Sequence, residues 1–569
     1  MFTRRDFLAA AAATAMLPAA AGNVVRAAAR QRITERDLIE FEPLGQVTLL
    51  NFTDIHAQLM PVYFREPSVN VGVGGNAGVA PHLTGAHFLR AFGITKDTAE
   101  AYALTCDDFT ALAREYGRLG GLDRMATLVK AIRSERPGRT LLLDGGDTWQ
   151  GSYTALKERG ADMVTAMNAL GVDAMTAHWE FTYGTQRVEE LKRKLAFPLL
   201  CGNVKDATWE AYGVFESYKI FERGGVRIAV IGQAYPYTPI ANPAWLFADW
   251  SFGIDEAHVQ SEVDAARAAG AVVVVLLSHN GFDIDRKLAG RVRGIDVILT
   301  GHTHDAIPVP VIVGKTILIA AGSHGKFLAR LDLDVRGGQV AAHRFRLIPI
   351  FSDAIAPDPQ MAQIVEVIRR PYRAHMDQVL GRTDDLLYRR GNFSGTFDDL
   401  ICDALLEERE AEIALSPGFR WGATLLPGQP IRREDVFSQT AITYPAAYRT
   451  SMSGAQLRNL LEDVADNLFN PDPYYQQGGD MVRVGGMSYT IDVAQTIGKR
   501  ISEMRLLRTG DVIDPGKQYV VAGWASVQQG TQGPAVYDVL QRYIERHPVV
   551  KIPTQPCVRI LGADPRGIS

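Results

Sequence analysis

Short apolar runs, separated by stretches with helical spacing, dominate the chain from about residue 45 to residue 350. The runs at 47–52, 140–143, 226–231, 272–277, 297–299, 316–320 and 329–335 are rich in Val, Ile and Leu, and several are continuous rather than alternating. Continuous apolar runs predict strands covered on both faces. Between them, residues 121–133, 188–195 and 254–269 repeat apolar positions every three to four residues, which predicts covering helices. The alternation is that of an α/β domain. Residues 62–116 interrupt it with Gly, Pro, Asn and aromatic residues, and Val69-Asn-Val-Gly-Val-Gly-Gly-Asn has no helical period. A long irregular insertion in a compact domain is often functional, and this one follows directly on the first chemical motif below.

A chain of 569 residues exceeds what one core supports, so at least two domains are expected. The first is placed at 31–355, a linker helix at 356–380 and a second domain at 381–569, with Gly-rich loops at 476–480 and 484–486. With 47% apolar and 22% charged residues the composition is that of a soluble globular protein, and a net charge of −4 argues against a general nucleic-acid binder. A monomer is expected. Residues 1–30 stand apart: Thr3-Arg-Arg-Asp-Phe-Leu precedes an Ala-rich, weakly apolar stretch at 9–21, with small residues at 19–21 and 27–29. That stretch is too short to span a bilayer of ~30 Å, so no integral membrane protein is expected. Basic start, short apolar centre and small-residue exit predict an export signal, and the paired arginines predict twin-arginine export to the periplasm. Cys106, Cys201, Cys402 and Cys557 show no C-x-x-C spacing and read as free thiols.

Five segments place His, Asp or Asn just beyond an apolar run, and ligands in α/β folds gather at the carboxyl ends of strands. They are Asn51-Phe-Thr-Asp-Ile-His with Asp54 and His56; Leu143-Asp-Gly-Gly-Asp with Asp147; Thr176-Ala-His-Trp-Glu with His178; Leu277-Ser-His-Asn-Gly with His279; and Thr300-Gly-His-Thr-His-Asp with His302 and His304. Taken singly, a His at a strand end is more often a hydrogen-bonded structural residue. Five together, with only oxygen and imidazole donors, point to Mn, Fe, Zn or Co rather than copper(I) or calcium. Two such ions ~3.5–4 Å apart generate a hydroxide nucleophile and clamp an anionic centre.

In this order the motifs resemble the calcineurin-type metallophosphoesterases and, more closely, the two-domain 5′-nucleotidase group. The similarity spans about residues 45–540, including Leu119-Gly-Gly-Leu-Asp and Ala320-Ala-Gly-Ser-His-Gly-Lys. The resemblance implies an α/β (α+β) chain: a four-layer αββα metal domain followed by an α/β substrate-binding domain, with Gly418-Phe-Arg as its anion-contacting element. It implies one ion on Asp54, His56, Asp147 and His304, and another on Asp147, His178, His279 and His302. Asn203 matches the group's L-x-x-N-V element and reads as a turn residue facing the core.

One block departs from that group. Its third motif reads Gly-Asn-His-Glu-Phe-Asp, with a ligand Asn and a His–Asp dyad; here the frame reads Ala177-His178-Trp179-Glu180-Phe181-Thr182. General acid catalysis contributes ~10²–10⁴-fold, and Trp179 has no imidazole proton to give. The substitution resembles the SoxB branch, as do the segments starting at Pro61 and Gly479 and the twin-arginine signal. That resemblance implies two Mn2+, with Zn2+ an alternative. It also implies hydrolysis of the terminal sulfonate, as sulfate, from a cysteine-bound thiosulfonate on the SoxYZ carrier protein, in the Sox thiosulfate-oxidation pathway. A persulfide leaving group, at least as acidic as a thiol of pKa ~8.5, departs without a proton donor. Asp147, His178 and Arg420 would form the catalytic core. Arg420 and Arg483 are candidate sulfonate contacts, ahead of Arg449, and Trp179, Tyr183 and Tyr444 candidate walls of a substrate channel. A periplasmic 5′-nucleotidase is the alternative enzyme, and a metal-stabilised binding protein the alternative of another class.

Overall fold

A computed structural model describes residues 33–208, 210–552 and 557–569. The export signal expected at 1–30 lies outside the described residues, and among them no helix is long and apolar enough to cross a membrane.

Two mixed sheets form the first domain. One has the order Gln339–Pro349, Phe327–Arg336, Val47–Phe52, Thr140–Asp144, Ala174–Met175, and the last three run parallel. The other has the order Val311–Val313, Thr316–Ala320, Val297–Thr300, Val273–Ser278, Val226–Gln233, Tyr218–Arg223, with four parallel strands at its centre. Alternate residues of the central strands serve two cores. Ile228, Val230, Val273, Val275, Leu277, Val297 and Leu299 face the first sheet. Ala229, Ile231, Val274, Leu276 and Ile298 face outward against Glu256–Ala268 and Phe282–Ala289. This double burial is why the strands read as continuous apolar runs. On the outer side of the first sheet, Leu122–Glu135 and Ala161–Leu170 contribute Leu128, Ile132 and Met167 to the same core, which completes the αββα layering.

The insertion is less irregular than its composition suggests: it carries helices at Gly85–Phe92, Ala99–Leu104 and Phe109–Tyr116, each too short to impose a long period. The connecting helix is also shorter than expected. It covers Pro359–Arg369 and stops before Pro371, which cannot continue the ladder of hydrogen bonds. A strand at Val379–Thr383 follows.

The second domain is built on a four-stranded sheet ordered Tyr448–Ser453, Gln518–Gly523, Ile413–Gly418, Asp480–Gly485, packed by the helices Thr396–Glu408, Gly454–Phe469 and Val536–Arg546. Cys106, Cys201 and Cys402 are buried free thiols. Asn203 occupies a turn, where its amide donates to Ala234 O at 2.7 Å and accepts from Ala234 N at 2.8 Å.

Candidate metal centre

Ligand atoms of Asp54, His56, Asp147 and His304 lie within 4.8 Å of one another, and so do those of Asp147, His178, His279 and His302. The two groups share Asp147 and form a dual His/Asp metal-binding site. Each residue sits where a parallel strand ends, and the chain turns sharply there to aim it. Asp54, His56, Asp147, His302 and His304 have φ of 52°, 49°, 56°, 71° and 60°. Non-glycine residues in this left-handed region cost of order 1–3 kcal/mol each, and clusters of them mark sites where the surrounding structure imposes geometry. Gly146, at φ +90°, lets the turn pass: a Cβ there would stand 3.0 Å from Thr176 O and 3.1 Å from His279 Nδ1.

The electrostatics of the centre call for cations. The carbonyl of Gly145 accepts from His279 Nδ1 at 2.6 Å, so His279 Nε2 faces Asp147 Oδ2, 3.1 Å away. Burial disfavours the charged ring, but Asp147 and Asp54 outweigh it and push His279 up to about 10. Burial, with the charge of Asp147 added, raises Asp54 to about 7. Across the centre, His56 Nε2 and His304 Nε2 meet at 3.0 Å. Burial lowers His56 to about 4 and holds His304 well below the ordinary histidine value, so both rings are neutral, the state that binds metal. Asp147 Oδ2 lies 3.1 Å from His178 Nδ1 and 3.8 Å from His56 Nε2, between the two clusters. A divalent ion in each cluster would separate these facing lone pairs, and the oxygen and imidazole donors suit a first-row ion. The residues fit the group.

A carboxylate whose role is invisible in the sequence organises the centre. Glu180 accepts from the backbone N–H of Thr148 at 2.6 Å, His178 at 2.8 Å, Trp149 at 3.1 Å and Asp147 at 3.3 Å. It thereby pins the Asp147 turn to the His178 turn, although burial and the charge of Asp147 raise its pKa. The only sequence signal for it was its place inside the His178 motif.

A cavity of about 920 Å³ opens from the centre between the domains. Trp179, Phe419, Trp421 and Trp524 form its inner wall, and Arg420 and Arg449 also line it. Trp179 is buried; its ring meets Phe419 and Trp421 edge-on at 5.2 and 4.8 Å and lies parallel to Tyr444 at 6.1 Å. The Tyr444 hydroxyl donates to Asn242 Oδ1 at 3.0 Å. Arg420 reaches the cavity but is braced: Nε donates to Asp480 Oδ1 and Nη1 to Thr303 O, both at 3.3 Å, and Nη2 to Gly479 O. Arg449 is exposed and donates to Arg409 O at 2.9 Å.

Two expected substrate contacts lie elsewhere. Arg483 is buried behind the wall and pairs with Asp398 at 3.1 Å and Asp480 at 3.2 Å, so carboxylates claim its charge before any substrate could. Tyr183 packs in the core of the first domain, and its hydroxyl donates to the carbonyls of Trp149 and Ala155 at 2.9 and 3.0 Å.

Residues 379–542 match the family profile described as the 5′-nucleotidase C-terminal domain. The 5′-nucleotidases of Bos taurus and Homo sapiens are each 25% identical over 458 residues, covering 73% of this chain and 77% of theirs. Among solved structures, the sulfate thiohydrolase SoxB of Thermus thermophilus is 37% identical with a TM-score of 0.88, covering 92% of this chain and 98% of that one. The chain belongs to the 5′-nucleotidase superfamily. A 5′-nucleotidase precursor from Thermus thermophilus has the same fold, with a TM-score of 0.71 at 21% identity over 91% of this chain and 99% of that one. Membership of this superfamily makes the chain a metallophosphoesterase-type hydrolase, and the two clusters sit in its first domain.

Proposed function

We propose that this hydrolase is a thiosulfohydrolase of the SoxB type, which releases sulfate from a thiosulfonate on a cysteine of the SoxYZ carrier. In this reading it acts in the periplasm after twin-arginine export and carries two Mn2+. Bound ions supply a hydroxide nucleophile and polarise the oxygens of a tetrahedral anion.

The observation that carries the reading is Trp179. It stands beside Asp147 and His178, where a phosphomonoesterase of this superfamily keeps its dyad His, and Thr182, in place of the dyad Asp, only donates back to Trp179 O at 2.7 Å. Among the described residues, no histidine outside the metal clusters lines the cavity to replace that dyad His. Asp463 is exposed at the mouth. Burial pushes Asp480 up, but Arg420, Arg483 and Arg390 outweigh it and hold its pKa below the ordinary carboxylate range. An alkoxide leaving group would go unprotonated here, whereas a persulfide anion, at least as acidic as a thiol of pKa ~8.5, leaves unaided. The 37% identity to a sulfate thiohydrolase over nearly the whole chain points the same way. Arg420, at the cavity wall, would contact the sulfonate, and the aromatic wall of Trp179, Phe419 and Trp421 would guide the carrier's substrate-bearing segment.

The chain's own groups have defined tasks in this reaction. Trp179 N–H and Glu180 hold Asp147 in place, Arg420 orients the anion, and the aromatic wall excludes water from the leaving sulfur. Manganese-loaded protein given the thiosulfonate-loaded carrier, and separately AMP, tests the reading. Sulfate release with little phosphate is expected; rapid phosphate release from AMP without sulfate would favour a 5′-nucleotidase.

A further inference from the structure

Among the described residues, His302 is the one metal-cluster residue whose outer nitrogen is held by the second domain. Its Nε2 lies 3.0 Å from the carbonyl oxygen of Gln477. A carbonyl only accepts, so Nε2 carries the proton and the lone pair is left on Nδ1, free to bind an ion. The same carbonyl accepts from the Tyr235 hydroxyl, and the Tyr235 ring stacks on His302 with centroids 4.1 Å apart. Gly478 follows with φ +70°, and a Cβ there would fall 2.4 Å from His302 Nε2. Close approach to the imidazole is the physical reason for glycine at this position.

The loop is fixed at both ends. Gln476 Nε2 donates to Asn470 O at 2.7 Å, and Arg420 donates to Gly479 O and to Asp480. From the same domain Arg390 donates to Thr303 O at 3.1 Å and pairs with Asp305 at 3.2 Å, bracing the backbone on either side of His304.

We propose that residues 476–480 are a positioning element of the metal centre, and that the ion held by Asp147, His178, His279 and His302 binds tightly only when the second domain is docked. The cluster of Asp54, His56, Asp147 and His304 has no comparable backbone acceptor from that loop and is less dependent on docking. Outer hydrogen bonds of this kind fix the tautomer of a ligating His, and losing one costs 10- to 100-fold in metal affinity. Linkage makes the effect reciprocal: binding of that ion stabilises the docked arrangement by the same factor. The inference rests on the dual metal site and not on which anion is cleaved, so a failure of sulfate release would leave it standing.

The test uses the full chain, stripped of metal and titrated with Mn2+ by equilibrium dialysis, with electron paramagnetic resonance to distinguish a single Mn2+ from a coupled pair. Gly478→Ala should weaken one of the two ions by about 10- to 100-fold, leave the other near wild type, and give the spectrum of isolated Mn2+ at limiting metal. Gly479→Ala is the control. Gly479 has a similar φ of +77°, but its nearest neighbour across an added Cβ is Gly418 O at 3.8 Å, so two ions and the coupled spectrum are expected. Tyr235→Phe removes one hydrogen bond to the Gln477 carbonyl and should weaken the same ion to a smaller extent. Two wild-type affinities in Gly478→Ala, or equal losses in both glycine variants, would overturn the proposal. Should Gly478→Ala fail to fold, an unchanged second-ion affinity in Tyr235→Phe would overturn it.

Discussion

The backbone N–H of Trp179 donates to Oδ1 of Asp147 at 2.8 Å. The residue that replaces an expected acid catalyst is thus fastened to the carboxylate that both metal clusters share. Its indole is buried against Phe419 and Trp421, so in the proposed reading the position supplies shape and dryness where a phosphomonoesterase would supply a proton.

Restoring the dyad should therefore restore some phosphatase chemistry. Trp179 and Thr182 lie on one short 3-10 turn, Trp179–Tyr183, so a His and an Asp placed there would be neighbours. The double variant Trp179→His, Thr182→Asp is expected to raise phosphate release from AMP by about 10-fold or more and to lower sulfate release. Unchanged phosphate release in a folded, metal-loaded variant would count against the role assigned to Trp179.

Asp147 is expected to govern both ions. Asp147→Asn keeps an oxygen for the Trp179 N–H but removes the charge facing His178 and His279. Elemental analysis after dialysis should find fewer than one Mn2+ per chain under conditions where the native protein holds two. Retention of two ions would contradict a shared ligand.

Glu180 should matter for stability without touching a metal. Glu180→Gln leaves one acceptor oxygen for four backbone donors and brings an amide into their place, at a cost of about 2–3 kcal/mol. Urea unfolding of the metal-free chain should show this as a lower midpoint with an unchanged slope, and Mn2+ affinity should fall as well. A native midpoint would contradict the clamp.

Some of this was legible in the sequence, for physical reasons that also mark where legibility ended. Strands such as Val47–Phe52 and Thr316–Ala320 coincide with their apolar runs because double burial leaves no exposed position to blur the ends. The clustered histidines were visible because each follows such a strand. Arg483 looked like an anion contact because its partners, Asp398 and Asp480, come from distant points in the chain. Tyr183 looked like a channel wall because spacing does not reveal that its hydroxyl turns toward two core carbonyls. The Gln477 carbonyl is a backbone group and leaves no mark of its own, except that two glycines with positive φ follow it.

The second domain also predicts a pH dependence. Burial, reinforced by the charges of Asp398 and Asp403, raises Asp399 to about 7. The folded chain then holds this proton more tightly than the unfolded chain, whose Asp titrates near ~3.9. The sign follows: stability falls as pH rises from about 4 to about 7 and stays lower above that range. Asp399→Asn should raise the melting temperature at pH 8 and leave it nearly unchanged at pH 4. Equal shifts at both values would contradict a buried, reluctantly ionised carboxyl.

The most direct test of the central claim is the fate of oxygen during turnover. Manganese-loaded protein and the thiosulfonate-bearing carrier are mixed in H₂¹⁸O, and the product is analysed by mass spectrometry. The account predicts sulfate carrying one ¹⁸O per molecule, with a persulfide left on the carrier cysteine. Sulfate without label, or no sulfate while AMP is hydrolysed rapidly under the same conditions, would contradict it.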